Sequence, residues 1–468
     1  MKVIVTGGGL VGLLQAMLLA DDGHEVTVLE RDPEPPPEDA EASWAAWERR
    51  GVNQFRQLHY FLPPFRILLE AELPRVSQAL DAAGALRYGA LAEAPAEAIG
   101  GHREGDDAFE SLTARRPVVE AVVAREAAAT SGLAVRRGMA VAGLRAEPVG
   151  GIPHVTGVCL EGGEVLDADL VVDATGRRSP LPGWLEAVGA GDVVEEREDC
   201  GFVYYGRYFR SADGAVPPAF GPLLQHYGTI SVLTLPADHG TYGVGIVASA
   251  QDAPMRALKD VRTWDAVLAA CPLVAHWGAG EPLDEGVAVM AKIEDRHRSF
   301  VVDGEPVATG VLAVADAWAC TNPSVGRGAS IGLIHAVALR DLVRGADVDD
   351  PVGLALAWDR VTQETVEPHY RSTLDFDRHR LGEVHAGVAG EAYDGGPMWE
   401  VAKAFEHAAG NDPDVLRGFL EVLCLLRTAE EVLADPGMLD GVLAAGAGWR
   451  DAPVLGPDRA ALLTLVGG

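Results

Sequence analysis

The first apolar positions form a solid run and then recur at helical spacing. Residues 2–6 (Lys-Val-Ile-Val-Thr) read as a buried strand, Gly7, Gly8, Gly9 and Gly12 as a turn into an amphipathic helix, and residues 26–30 (Val-Thr-Val-Leu-Glu) as a second strand. A proline-rich acidic loop (32–39) and a helical stretch (40–50) carrying Trp44 and Trp47 follow. Phe65, Leu68, Leu69, Leu73 and Val76 then predict one long amphipathic helix over 64–85. Residues 100–107 are polar loop, a helix runs to Thr130, and short strands are expected at 134–137 and 141–144. A hairpin (155–160 with 164–166) leads into a buried strand, Leu170-Val-Val-Asp173.

Between about 195 and 300 the texture changes. Strand-like runs at 202–210, 229–235 and 241–247, separated by turn residues, predict a mainly antiparallel sheet with one helix at 261–269. A further buried strand (310–316) feeds, through a loop, a helix from Gly328 to about Val343. From 352 onward the chain is helix-rich and acidic. The expected class is α/β: a discontinuous, doubly wound dinucleotide-binding domain (1–80, 110–195 and 300–345) with an inserted antiparallel sheet domain (81–109 and 196–299) and a helical C-terminal region (346–468).

Composition narrows the partners. With 38 basic against 69 acidic residues the net charge is −31, which repels nucleic acid and anionic membrane surfaces. No apolar run approaches bilayer length. The five cysteines, Cys159, Cys200, Cys271, Cys320 and Cys424, are scattered and form no C-x-x-C pair, so neither a disulfide framework nor a zinc site is expected and the compartment reads as the cytoplasm.

The opening unit carries the chemistry. Gly7 is expected to make the tight turn, Gly9 to let backbone approach a pyrophosphate, and Gly12 to bring helix and strand together. The N–H groups of Leu10 and Val11 lie where a helix N-terminus favours anions. Glu30, eighteen residues after Gly12, would accept a ribose diol and repel a 2′-phosphate.

This unit, closed by Glu30-Arg31, resembles that of FAD-dependent oxidoreductases. Asp316 followed by Asn322-Pro-Ser-Val-Gly-Arg-Gly328 resembles the second flavin motif of the class A flavoprotein monooxygenases, whose relatives include aromatic hydroxylases, styrene monooxygenases and polyether epoxidases. The resemblance covers roughly residues 1–345 and is strong over 1–31 and 310–332. It implies that Asp316 holds the ribityl chain, and that Pro323, Gly326 and Gly328 shape the loop against the isoalloxazine. It further implies that Arg116 reaches the phosphate–ribityl region and that the stretch 47–59, with Arg49, passes the flavin's dimethylbenzene side.

Two departures from the family pattern stand out. Ala315-Asp316 replaces the usual Gly-Asp, and Asp173-Ala-Thr-Gly176 replaces the Ala-Asp-Gly of aromatic hydroxylases. The second departure leaves open whether NAD(P)H reduces the flavin directly or a separate flavin reductase does.

The function implied is an FAD-dependent monooxygenase that hydroxylates or epoxidises a hydrophobic small molecule with molecular oxygen, through a flavin C4a-hydroperoxide. The alternative is an FAD-dependent reductase or dehydrogenase acting on a carbon–carbon bond. A flavin halogenase would carry a Trp-x-Trp-x-Ile-Pro segment, which this chain lacks, and a flavin-binding scaffold without turnover is the non-enzymatic rival. His59 and Tyr205 are the candidate catalytic side chains, weighed against a loop histidine bonded to backbone and a core tyrosine. Tyr204 and Tyr205 alternate faces, so one of the two can enter a pocket. Arg207 and Arg210 are expected to be solvated, and residues 295–298 (Asp-Arg-His-Arg) to form a charged turn.

Overall fold

A computed structural model describes residues 1–467 other than Asn53, Glu93, Pro95, Val348 and Val454. Its first layer is a five-stranded parallel sheet. The spatial order is Val311–Ala313, Leu170–Asp173, Lys2–Thr6, Glu25–Glu30 and Leu133–Arg137. Successive side chains take opposite faces, as strand geometry requires. Val3, Val5, Val26, Val28, Leu170, Val172 and Leu312 pack on one side with the helices Leu10–Asp21, Arg116–Ala129 and Gly328–Gly345. Ile4, Leu29, Val171, Val311 and Ala313 pack on the other, against Leu144, Val155 and Val158 of a three-stranded antiparallel sheet.

That antiparallel sheet differs from its sequence reading. The strand expected at 141–144 runs over Val141–Val149 and pairs with Ile152–Leu160 across Gly150-Gly151. Both glycines have positive φ (60° and 95°), the conformation a two-residue hairpin of this hand demands. The helix expected over 64–85 is two helices, Pro63–Glu72 and Pro74–Ala82. Pro74 offers no N–H and its ring keeps Leu73 out of helical geometry, so the chain kinks at φ −134°, ψ 57°. The helix over 40–50 stops after Ala45, and Arg49 turns inward beyond it.

The second large layer is antiparallel, in the order Leu224–Tyr227, Ile230–Pro236, Thr241–Ser249, Phe202–Arg210 and Glu281–Pro282, with Ala288–Met290 also paired to Phe202–Arg210. One face buries Tyr205, Phe209, Ile246 and Val244 against Trp264 and Val267 of the helix Val261–Ala269, the span expected. The other face carries Tyr204, Leu233 and Leu235. Gly206, Gly243 and Gly245 open a groove there. A methyl on Gly243 or Gly245 would come within 2.3 Å of the Leu58 side chain, so the 54–62 segment is pressed directly onto this sheet.

Residues 295–298 belong to a strand, Glu294–Ser299, rather than a turn, and it pairs with Val194–Asp199. Asp295, His297 and Arg298 are buried in it. Arg207 is also buried, paired with Asp265 and lying over Phe209 and Trp264, while Arg210 bonds Glu41. The C-terminal part is helical, its longest element being Glu367–Ala389. Among the described residues no helix is long and apolar enough to cross a membrane.

Candidate functional site

One cleft of about 3050 Å³ connects the layers. It exceeds the ~300–1,000 Å³ of an ordinary small-molecule site, room for a large cofactor and a second ligand. Gly7, Gly9, Leu10, Val11, Gly12, Glu30, Arg31, Arg49, His59, Arg116, Asp316, Pro323, Gly326 and Gly328 all line it. The fold therefore brings together fourteen positions drawn from five separate stretches of sequence.

Three of the loop glycines meet different surroundings. Gly7 has φ +99° and a side chain on it would strike the Ala174 carbonyl at 2.6 Å. A Cβ on Gly12 would lie 2.1 Å from the Gly7 oxygen, so strand and helix are packed backbone to backbone. A Cβ on Gly9 meets nothing within 4 Å. Gly9 is also the N-cap, and no side chain caps the helix it begins. The first N–H groups thus face open cleft, an anion cradle by construction.

At the end of the second strand Glu30 is 5% exposed. One oxygen accepts from the Asp32 amide (2.8 Å), the other from the Gly8 amide (2.9 Å) and from Arg49 (2.8 Å). A carboxylate offers about four acceptor positions, so one remains for a ribose hydroxyl, on the oxygen that takes only the Asp32 amide. Arg49 sits at the centre of three carboxylates, reaching Glu30, Asp32 (3.2 Å) and Glu120 (2.9 Å). Burial opposes its charge, but Glu120, Glu30 and Asp32 outweigh burial and hold its pKa above the ordinary value. Arg49 therefore serves the cleft chiefly by orienting acids. Arg31 is exposed beside it, its guanidinium against Gly51. Asn53, within the flavin-flanking stretch, lies outside the described residues.

Sequence reasoning misses Glu120. The signal for it is a lone acid inside Val118-Val-Glu-Ala-Val-Val123, a helix otherwise buried. It also holds Arg116 at 2.6 Å, and Arg116 in turn donates to His59 Nε2 at 2.9 Å. The His59 Nδ1 lies 2.9 Å from the Gln57 carbonyl, which can only accept, so His59 carries its proton on Nδ1 and is neutral. Burial, reinforced by Arg116, pushes its pKa down to about 3. In this setting His59 positions Arg116 rather than exchanging protons.

On the facing side, Asp316 follows the strand Val311–Ala313, and no described donor bonds its carboxylate. Burial raises its pKa, opposed by Arg116, Arg177 and Arg298. An ionisable oxygen pair aimed at a cleft without a partner fits a ribityl hydroxyl. Ala315 just before it adopts φ +51°, a left-handed conformation that favours glycine and explains the usual Gly-Asp at this place.

The loop Asn322–Gly328 is anchored from elsewhere. The Asn322 amide donates to Asp295 (2.6 Å), its side-chain oxygen accepts from the Tyr204 hydroxyl (2.7 Å), and the Ser324 hydroxyl donates to Asp377 (2.7 Å). Arg327 donates to Ser372 and Thr373 at 3.0 and 3.1 Å. Gly326 takes φ +69°, and the helix Gly328–Gly345 begins with no side-chain cap. Burial pushes Asp377 up to about 7 and Asp295 up to about 6. Cys320 is buried, its thiol pushed up to about 12, and is chemically inert there.

Of the two tyrosines, Tyr204 lines the cleft. Tyr205, the sequence candidate, is on the far face of the sheet in the core with Trp264, whose ring N–H donates to the Tyr205 carbonyl. Period-two alternation makes the pair exclusive but does not say which member faces inward. Asp173 is likewise turned inward on its own loop, accepting from Thr6, Thr175 and Ser179.

No protein-family model matches the chain. Protein Rv3254 of Mycobacterium tuberculosis is 25% identical over 453 residues, spanning 92% of this chain and 91% of its own. Solved structures share the fold, among them these three. PqsL of Pseudomonas aeruginosa, described as a probable FAD-dependent monooxygenase, superposes with a TM-score of 0.57 at 17% identity, over 82% of this chain and 99% of that one. The Diels-Alderase PyrE3 of pyrroindomycin biosynthesis gives 0.57 at 18%, over 90% and 80%. 2-Methyl-3-hydroxypyridine-5-carboxylic acid oxygenase gives 0.55 at 16%, over 85% and 99%. The chain is built like the FAD-dependent monooxygenases.

Proposed function

We propose that this protein is an FAD-dependent monooxygenase that hydroxylates or epoxidises a hydrophobic small molecule. One observation carries the reading: a single cleft joins an uncapped, glycine-built phosphate cradle, an acid at the ribose position, and the unpartnered carboxylate of Asp316 to an apolar compartment walled by Tyr204, Leu233 and Leu235. FAD fits these residues and would supply oxygen-activating redox chemistry. The amides of Leu10, Val11 and Gly12 would take the pyrophosphate, Glu30 the adenosine ribose, and Asp316 the ribityl chain. The Gly328 helix N-terminus would stabilise negative charge at the flavin's edge. Leu58, pressed into the sheet glycines, would exclude water from the reacting face.

In this reading the parallel layer is the doubly wound, glutathione-reductase-type FAD domain, with the inserted sheet and helical region bounded as the sequence suggests. Molecular oxygen is the co-substrate, and electrons come from NAD(P)H, directly or through a separate flavin reductase. We place the protein in the cytoplasm, because its five scattered cysteines are free thiols.

The test is to reduce the FAD-loaded protein anaerobically, mix it with oxygen, and follow the flavin spectrum by stopped flow. A transient distinct from reduced and oxidised flavin, together with peroxide or oxygenated product, is expected. Monotonic slow reoxidation would transfer the assignment to a reductase or dehydrogenase of carbon–carbon bonds. The same mixing with and without NAD(P)H reads out whether a partner reductase is needed.

A further inference from the structure

The helix Glu367–Ala389 presents one continuous stripe to the cleft: Pro368, Ser372, Phe376, His379, Glu383 and Gly387, at helical spacing. From Pro368 to Gly387 that stripe is about 28 Å long at 1.5 Å per residue. The cofactor end is marked by Ser372, Thr373 and Asp377, which hold the Asn322–Gly328 loop. Beyond them the wall continues for roughly another 15 Å. There the helix converges on the antiparallel sheet, where a Cβ on Gly387 would approach Thr229 within 3.1 Å.

The far compartment is walled by Leu224, Phe376, Trp399, Phe419 and Leu423. Its rim carries three apolar side chains open to solvent, Phe220 (60% exposed), Met398 (74%) and Leu455 (52%). Charged groups do reach this space, but the partly buried ones are spent on one another, and acids without an ion pair, such as Glu391 and Glu430, are open to solvent. Arg380 pairs with Glu383 (2.9 Å), Lys403 with Glu406 (2.7 Å) and Glu383 (3.7 Å), and Arg427 with Asp435 (2.7 Å). Trp399 donates to Glu383, and Arg380 also closes on Ser231 and the Gly228 and Ile230 carbonyls. Two of the histidines are bonded as well, His226 to Ser231 and His379 to Tyr393. Among the described residues a charged ligand would therefore find no unpaired counter-ion inside the compartment, away from solvent, and burying it there is costly. An apolar ligand would find matching walls.

We propose that this compartment binds an elongated, uncharged, predominantly apolar small molecule, one end at the flavin edge and the other between the helices Glu367–Ala389, Gly396–Ala409 and Pro413–Leu423. The molecule is the substrate; only that last step rests on the cofactor reading above. The C-terminal helices thus set substrate length and charge while the inserted sheet faces the reacting end.

The experiment titrates the FAD-loaded protein with the neutral dye Nile red and with the anionic dye 8-anilinonaphthalene-1-sulfonate, following emission. Saturable, blue-shifted Nile red binding is expected, with the anion at least about tenfold weaker. Phe376→Asp and Met398→Asp are each expected to weaken Nile red about tenfold or more, with flavin absorbance per protein unchanged. Met398 is exposed, so its variant folds even where Phe376→Asp does not. Equal binding of both dyes, indifference to the Met398 change, or release of FAD by Nile red would each overturn the proposal. A protein that holds no FAD yet binds Nile red in a variant-sensitive way would sink the monooxygenase reading and leave this site standing.

Discussion

Two loops of the cleft are made by opposite means. The loop between Thr6 and Leu10 is built from absent side chains. Three glycines, one strand and one helix within about thirty consecutive residues produce it, and its functional atoms are backbone N–H groups. The loop Asn322–Gly328 is held by side chains that arrive from far away: Tyr204 on the large antiparallel sheet, Asp295 on the central strand of a three-stranded sheet, and Ser372, Thr373 and Asp377 on the helix Glu367–Ala389. The first is local and survives alone as a motif. The second exists only when four parts of the molecule have docked. A phosphate needs generic donors that any helix start supplies, whereas a flavin-facing loop must be held in one conformation, and long-range anchors do that.

The largest expected effects separate folding from binding in the first loop. Gly9→Val meets open space in the protein, so thermal melting should stay near wild type while FAD occupancy of the purified protein is lost. Gly12→Ala, with its methyl 2.1 Å from the Gly7 oxygen, should cost about 3 kcal/mol or more and lower the melting temperature outright. If Gly9→Val keeps its flavin, the pyrophosphate does not lie on this loop.

The next effect concerns the acid ahead of the second loop. Asp316→Ala removes a charged acceptor worth about 1.5–3 kcal/mol, so the FAD Kd, measured by quenching of flavin fluorescence, should rise roughly 10- to 150-fold. Unchanged affinity would detach Asp316 from the ribityl chain.

The anchors themselves are read out by pH. Asp377 is raised to about 7 in the folded state, so the native protein keeps a proton that the unfolded chain releases between about pH 4 and pH 7. Its contribution to stability is therefore present at low pH and is lost as pH rises through that window. A tenfold difference in proton affinity between the folded and unfolded chain corresponds to about 1.4 kcal/mol. Asp377→Asn should flatten the dependence of the urea midpoint on pH relative to wild type, and parallel profiles would show that the carboxyl is ionised in place.

The smallest effect is also local. Ala315→Gly relieves a left-handed alanine, a gain of about 1–2 kcal/mol, against an entropic cost of about 0.5–1 kcal/mol for glycine. A net stabilisation of about 0.5–1 kcal/mol is expected in denaturant titration, with FAD binding preserved.

Legibility followed the range of the interaction. The strand Leu170–Asp173 and the helix Val261–Ala269 could be placed to the residue, because hydrophobic runs and flanking turns are local. The kink at Leu73 was readable from Pro74, and a single periodic stripe concealed it. Glu120 was readable as an acid in a buried helix. The triple role of Arg49 was not, since Asp32, Glu30 and Glu120 meet it only after the parallel sheet and its helices have packed. Nor could alternation along Phe202–Arg210 distinguish Tyr204 from Tyr205; a helix docked on one face made that choice.

The amino-acid sequence by itself determined the glycine-built turn into the first helix, the acid that closes the second strand, and the acid after the strand Val311–Ala313. Each follows from the backbone freedom of glycine or from a charge at a strand end, properties that need no distant partner. Only the tertiary structure decided that His59 is a neutral acceptor for Arg116, that Tyr204 holds the loop, and that the C-terminal helices line the cleft. Those outcomes depend on which surfaces bury one another, and burial is a property of the packed molecule as a whole.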